Sequence, residues 1–244
     1  RRVVEFVEDP AEEVSLVEAQ KQNTNAEVGD ILKVPVHSDK FGRIATQNAK
    51  NVILQKIREE ERKVLFDQYH GNEKEVVTGI VQRVVGHNVS VNLGKADAIL
   101  AENEQVKGET FKPTERIKVY ILEVKDTPKG PRILVSRTHP GLVKRLFESE
   151  VAEVKDGTVE IKSIAREAGS RTKLAVWSND PDVDPVGACV GVNGARVSAI
   201  VNELRGEKID IINWDENPAI LIENALSPAK VIAVMADPDE KTAL

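Results

Sequence analysis

Between residues 41 and 70, apolar side chains recur at helical spacing, at Ala45, Ala49, Val52, Ile53, Ile57 and Val64, and no proline or glycine interrupts them after Gly42. The spacing predicts one long amphipathic helix. Its polar side carries Arg58, Glu59, Glu60, Glu61, Arg62 and Lys63, with Glu59 and Lys63 at the four-residue separation that favours an ion pair. A helix of this kind serves as a strut between domains or as a docking surface for a protein partner. Ahead of it the pattern is mixed. Residues 2–7 and 30–36 read as strands, with a turn at Asp9-Pro10 and an acidic, polar stretch between them.

Gly71-Asn72-Glu73 ends the helix, and apolar and polar residues then begin to alternate. The alternation predicts strands over 75–85, 88–93, 96–100, 116–124 and 132–136, with turns at Gly86-His87-Asn88, at Gly94-Lys95 and over 126–131. Short strands in this number, with one longer loop over 101–113, suit a closed five-stranded OB barrel, which offers one face and its neighbouring loops to oligonucleotides. Pro140-Gly141 opens a further helix carrying Leu142, Val143, Leu146 and Phe147, followed by strands over 158–165 and 172–177. Residues 184–204 read as a short helix, a glycine turn and a second amphipathic helix leading into a strand over 208–212. Helix, strand, strand, helix, GxxG, helix, strand is the order of a prokaryotic-type (type II) KH domain.

Composition narrows the class. A chain of 244 residues with 41% hydrophobic side chains can bury the cores of two or three modules. No apolar run is long enough to span a membrane and no secretory signal opens the chain, so no membrane partner is expected. Cys189 is the only cysteine, which rules out an internal disulfide or a cysteine-based zinc site and fits a cytoplasmic protein. The net charge of −6 argues against coating duplex DNA by charge alone. That average hides an asymmetry: residues 1–30 hold three basic side chains against eight acidic ones, and residues 112–145 hold nine against three. A locally basic stretch in an acidic chain points to selective, limited nucleic-acid contact.

In the turn Gly191-Val192-Asn193-Gly194, the missing Cβ atoms let backbone N–H groups and the next helix's N-terminus approach sugar-phosphate closely. Two glycines at this spacing are expected about once from composition alone. The weight therefore rests on their position between two helices, after a strand hairpin and downstream of the barrel. Arg196, in the first turn of the following helix, is placed to reach a phosphate. On the barrel, Arg116, Lys118, Arg132 and Arg137 supply charge, and Phe111, Tyr120 and His87 are the nearby rings. With aromatics at 4% of the chain, stacking cannot dominate. Asp180, Asp182 and Asp184 have the spacing of a calcium loop, but Pro185 stands where that loop needs glycine and Gly191 where it needs a bidentate glutamate. His37, His70, His87 and His139 share no metal-ligand spacing, and no nucleophile elbow or P-loop occurs. No catalytic site, metal or cofactor is expected.

Several longer stretches carry a family resemblance: Phe41-Gly42-Arg43-Ile44-Ala45-Thr46-Gln47, Asn51-Val52-Ile53-Leu54-Gln55-Lys56-Ile57-Arg58-Glu59, Val77-Thr78-Gly79-Ile80-Val81-Gln82-Arg83, Leu134-Val135-Ser136-Arg137-Thr138-His139-Pro140, residues 184–191, and Ala199-Ile200-Val201-Asn202-Glu203-Leu204. Together they resemble the NusA family of bacterial transcription termination and antitermination factors over essentially the whole chain. The resemblance implies an N-terminal domain that docks on RNA polymerase near the RNA exit channel, then an S1-type barrel and KH domains that grip nascent single-stranded RNA. It also implies other antitermination factors as partners, and modulation of pausing, termination and antitermination without enzymatic activity. Arg43 and Lys50, seven residues apart on nearly one helical face, would meet polymerase or emerging RNA.

The expected fold is thus an α+β multidomain chain. A partial, mixed α/β N-terminal part with the long helix covers 1–72, the S1-type barrel 73–138, the first KH domain 139–214 and the start of a second KH domain 215–244. This sequence departs from the family pattern at Val192-Asn193, which lack the basic residue often found there, so phosphate contact must lean on backbone and Arg196. The chain starts without methionine, and residues 219–225, 230–236 and 241–244 echo only the opening of the first KH copy, so it reads as a fragment. A strand cut off from its partners is expected to be marginal. The competing reading is an RNA-binding subunit of an RNA-degradation complex, such as an exosome cap, where a barrel also precedes a KH domain. The long helix and the second KH start argue against it.

Overall fold

The computed structural model describes residues 1–34, 42–128, 130–237 and 242–244. The chain divides into two units, Arg1–Arg58 and Glu59–Leu244.

In the first unit, β1 (Arg2–Val4) pairs in parallel with β2 (Glu13–Ser15), setting Val3 opposite Val14. Helix α1 (Leu16–Gln22) starts directly after β2, where the Ser15 hydroxyl accepts from the Glu18 N–H and satisfies one of the open donors of the first turn. Val3, Val14, Ala19 and Ala26 form a small core flanked by Leu16 and Leu32. The strand expected over 2–7 is therefore shorter, and that over 30–36 is reduced, among the described residues, to one bridge between Arg2 and Ile31. The polar stretch that gave no strand or helix signal contains β2 and α1.

Helix α2 (Arg43–His70) is the predicted long helix; residue 41 lies outside the described residues. Along its apolar stripe Val52, Ile53, Ile57 and Val64 stand exposed. Burial is confined to its last turns. There Leu65, Phe66 and Tyr69 pack on the barrel core, and the Tyr69 hydroxyl donates to the Leu93 carbonyl at 3.1 Å.

The barrel consists of β3 (Val76–Val85), β4 (Asn88–Asn92), β5 (Asp97–Leu100), β6 (Arg116–Lys125) and β7 (Arg132–Ser136). They close in the order β3-β4-β5-β7-β6, with β5 and β7 parallel and the other pairs antiparallel. Val81, Val91, Leu100, Ile117, Val119, Ile121, Ile133 and Val135 point inward, and each such fully buried side chain contributes about 1.5–3 kcal/mol. Register shifts between Val81 and Arg83 and between Ile121 and Glu123 are bulges that tighten the coiling a closed barrel needs. A Cβ at Gly79 would collide with the Val91 side chain, so glycine lets β3 pass close to β4.

The KH module follows: α3 (Pro140–Glu150), α4 (Ala152–Lys155), β8 (Val159–Glu167), β9 (Arg171–Ser178), α5 (Pro185–Val190), the glycine turn, α6 (Ala195–Glu203) and β10 (Lys208–Asn213). Strand β9 is central, antiparallel to β8 and parallel to β10, the mixed sheet of the prokaryotic-type arrangement. Leu142, Leu146, Phe147, Leu174, Val176, Cys189 and Ile200 fill the space between helices and sheet. Beyond β10, α7 (Pro218–Leu226) is capped by Asn217. The strand expected over 230–236 does not form. Among the described residues there, only β11 (Ala236–Asp237) and β12 (Thr242–Ala243) pair, a ribbon too short to be stable by itself.

Candidate nucleic-acid interface

The glycine turn is built from both sides. Pro185 pre-sets the first turn of α5, and the Asp184 carboxylate accepts from the Val186 and Gly187 N–H groups at 3.1 and 3.0 Å. Helix α5 ends at Gly191, whose φ of 75° and ψ of 173° only glycine adopts without strain. Asn193 takes a left-handed conformation (φ 52°, ψ 26°), which asparagine tolerates better than most residues. Gly194 follows at φ 74°, and α6 starts at Ala195. Val192 is 83% exposed at the tip. The turn thus presents backbone and the N-terminal end of α6 to solvent, a favourable place for an anion.

Arg196 does not project into that space. Its stem packs under the turn, where a Cβ on Gly191 would stand 2.8 Å from Arg196 Cγ. Its guanidinium donates to the Ala188 carbonyl at 2.7 Å and to Glu153 at 2.9 Å. It braces the loop from behind. Burial, reinforced by repulsion from Glu153, pushes the neighbouring Cys189 thiol up to about 11, so it stays protonated and acts as a core side chain.

Arg137, expected among the phosphate-contacting residues, must be reassigned. It is 0% exposed at the junction of barrel and KH module. Its guanidinium grips Glu109 through two bonds of 2.7 and 2.6 Å and donates to the carbonyls of Lys118 and Glu203 at 2.8 and 3.1 Å. Four of its five donors are thus taken, the Glu203 carboxylate lies 3.6 Å away, and the buried group is out of reach of RNA. Glu203 also accepts from the Lys118 N–H at 3.0 Å, and Arg205 reaches across to Glu115 at 3.0 Å while lying over the Phe111 ring. Lys118 is half-buried with Glu150 at 3.8 Å. A second buried pair, Arg166 with Glu207, secures the β8–β9 turn to the start of β10, and Arg166 donates to the His139 carbonyl at 2.9 Å. Burial acts to raise the Glu207 carboxyl, but hydrogen bonds from Arg166, Thr172 and the Gly169 N–H outweigh it and hold the group below its ordinary range. These contacts join the barrel and the KH module into one body.

The rings named from sequence are largely consumed as well. Tyr120 is buried and stacked on His139 at 4.6 Å, and Phe111 lies beneath Arg205. His87 stays exposed in the β3–β4 turn, 3.6 Å from Glu102.

On the outer barrel face, by contrast, Arg116 and Arg132 are exposed and, among the described residues, have no ion pair or hydrogen bond to their side chains. So is Arg83, which the sequence reading missed because the bulge after Val81 breaks the alternation that would have marked it as outward-facing. Strand register sets Arg116, Ile80, Asn92 and Asp97 side by side, with Arg132 next to Asp97 on β7. Lys50 is exposed on α2, and the Arg43 side chain lies outside the described residues. Asp180, Asp182 and Asp184 serve the turn before α5, where Asp180 accepts from the Asp182 N–H at 2.9 Å. Among the described residues there is no cluster of potential metal ligands, and no helix is long and apolar enough to cross a membrane.

Comparison with known proteins agrees with this architecture. Family models match in three consecutive blocks: the NusA N-terminal domain over residues 1–63, the S1 RNA binding domain over 71–136 and the NusA-like first KH domain over 137–214. The transcription termination/antitermination protein NusA of Bacillus subtilis is 54% identical over 239 residues, covering 98% of this chain and 64% of that protein. Proteins of the same name from Halalkalibacterium halodurans and Thermus thermophilus are 52% and 45% identical, covering 99% and 100% of this chain and 63% of each relative. The chain thus spans less than two thirds of the length of these curated relatives. With N-terminal, S1 and first KH blocks in register over nearly all of its residues, the chain belongs to the NusA family.

Proposed function

We propose that this chain is the RNA-gripping part of a transcription termination and antitermination factor. It holds single-stranded RNA with the Gly191–Gly194 turn and the outer barrel face, and it docks on RNA polymerase through the residues ahead of the barrel. The observation that carries the reading is the pairing of an exposed glycine turn with the unpartnered Arg83, Arg116 and Arg132 on one body. Backbone N–H groups and the α6 N-terminus suit a sugar-phosphate, Arg83 and Arg116 suit phosphates, and Arg132 suits a phosphate or a base edge. Polymerase docking is supported by the match of residues 1–63 to the family's N-terminal domain and by the exposed Lys50. The protein acts by binding, in the cytoplasm, and uses no cofactor.

The test is a fluorescence-anisotropy titration of short single-stranded RNA at two salt concentrations, comparing the native chain with Val192→Asp/Asn193→Asp. Two carboxylates at the tip of the turn should weaken binding by at least tenfold, on the order of 1.4 kcal/mol, and native binding should fall with salt. Equal binding by both proteins would remove the turn from the interface, and no binding by either would leave polymerase docking as the surviving function.

A further inference from the structure

The outer barrel face holds an exposed, hydrogen-bonded carboxylate that, among the described residues, pairs no charge. Asp97, at the start of β5, is exposed, and its Oδ1 accepts from Gln82 Nε2 at 3.0 Å and from Asn92 Nδ2 at 2.8 Å. Both amides are themselves held: Ser90 Oγ donates to Gln82 Oε1 at 3.3 Å, and the Gly94 N–H donates to Asn92 Oδ1 at 2.9 Å. The carboxylate is therefore fixed in orientation, and its Oδ2 receives no hydrogen bond from any described residue. Arg132 lies beside it on β7, and Arg116 stands at the far end of the same row.

An ionised carboxylate can only accept hydrogen bonds. Where aromatic rings are lacking, a base laid on this face is met at its edge rather than its plane, and unstacked bases of single strands offer that edge. Cytosine, adenine and guanine present an exocyclic amino group there. Uracil presents carbonyl oxygens at both exocyclic positions, and its one edge donor, N3–H, lies between them, so a carboxylate that approaches it is repelled from both sides.

We infer that Asp97 is a base-selecting residue of the barrel face, accepting a hydrogen bond from an exocyclic amino group and so discriminating against uracil. Arg132 beside it donates to the neighbouring ring nitrogen or carbonyl, a donor and acceptor pair complementary to the cytosine edge. The assignment rests on the proposal that this face holds single-stranded RNA.

The experiment titrates the whole chain with labelled oligocytidylate and oligouridylate of equal length, and repeats both with Asp97→Asn and with Val192→Asp/Asn193→Asp. A well-made base-edge contact predicts about a five- to tenfold preference for oligocytidylate. The side-chain amide introduced by Asp97→Asn can both donate and accept, so that substitution should bring the ratio of affinities close to one. Loss of a negative charge strengthens both complexes alike, and a mere loss of fold weakens both alike, so the ratio isolates base selection. The glycine-turn variant should weaken both and keep the ratio. A native ratio near one, or a ratio unchanged in Asp97→Asn, overturns the assignment while RNA binding stands; failure of the native chain to bind either oligomer overturns the RNA reading and this inference together.

Discussion

Arg132 opens β7 and Arg137 lies just past its end, and the two have opposite surroundings. Arg132 stands in solvent without a protein partner among the described residues, whereas Arg137 is 0% exposed, facing Glu109 at 5% exposure and two backbone carbonyls. Both belong to the basic stretch that suggested RNA contact. Carboxylates brought in from distant segments, Glu109 from the β5–β6 loop and Glu203 from α6, decide which arginine is structural. A count of basic residues therefore measures neither phosphate contact nor stability until the partners are known.

The comparison breaks most sharply at Arg137. Arg137→Met leaves the buried Glu109 carboxylate with only Arg205, 3.9 Å away, as a charge partner and should destabilise the barrel–KH body by about 3 kcal/mol in urea unfolding. Adding Glu109→Gln should restore part of that loss, a coupling that a double-mutant cycle reads directly. A loss under about 1 kcal/mol would mean the pair is not what joins the modules.

Glu207→Gln should cost less, about 1.5–3 kcal/mol, because the neutral amide keeps some of the hydrogen bonds to Arg166 and Gly169. It also carries a pH signature. The folded carboxyl lies below its unfolded value of about 4.3, so its contribution is complete above that value and is lost as pH falls through the lower folded value. Stability measured from neutral pH downward should therefore fall more steeply for the native chain than for Glu207→Gln. Parallel curves would show that Glu207 is not the group responsible.

Arg116→Ala/Arg132→Ala should leave unfolding unchanged, since neither side chain has a partner to lose among the described residues. The readout is RNA binding, where losing the Arg116 phosphate contact, with Arg132 at a base edge, should lower the slope of log affinity against log salt by about 0.7. An unchanged slope would place the RNA away from this face and sharpen the case for the glycine turn.

The barrel was legible because its strands alternate over most of their length, outside the two bulges. Ile117, Val119 and Ile121 point inward between Arg116, Lys118 and Tyr120, and the hairpin turns sit on glycine or asparagine. The KH order was legible from periodicity and from the placement of the glycine turn between two helices. In the first unit β2 escaped notice because Glu13-Val14-Ser15 is too short to show a period, and its partner β1 is parallel and separate in sequence. The stretch over 230–236 looked like a strand by composition, yet an apolar run without a neighbouring strand has nothing to bond. At the site, the glycine turn could be read from flanking elements, whereas the burial of Arg137, the bracing role of Arg196 and the exposure of Arg83 depend on tertiary neighbours or a bulge.

The junction also imposes an order on synthesis. The last barrel strand is complete at Ser136, but the groups that close over Arg137 arrive only with Glu203 and Arg205, after the whole crossover through α5, the turn and α6. A nascent barrel therefore leaves the ribosome with its Arg137–Glu109 pair on an open face, where water weakens it. The same helix that seals this face leads into β10, whose parallel pairing with β9 completes the KH sheet. Completion of the second module and consolidation of the first thus fall at one moment of translation, when α6 docks, and chains halted before residue 203 should be the ones most open to proteolysis.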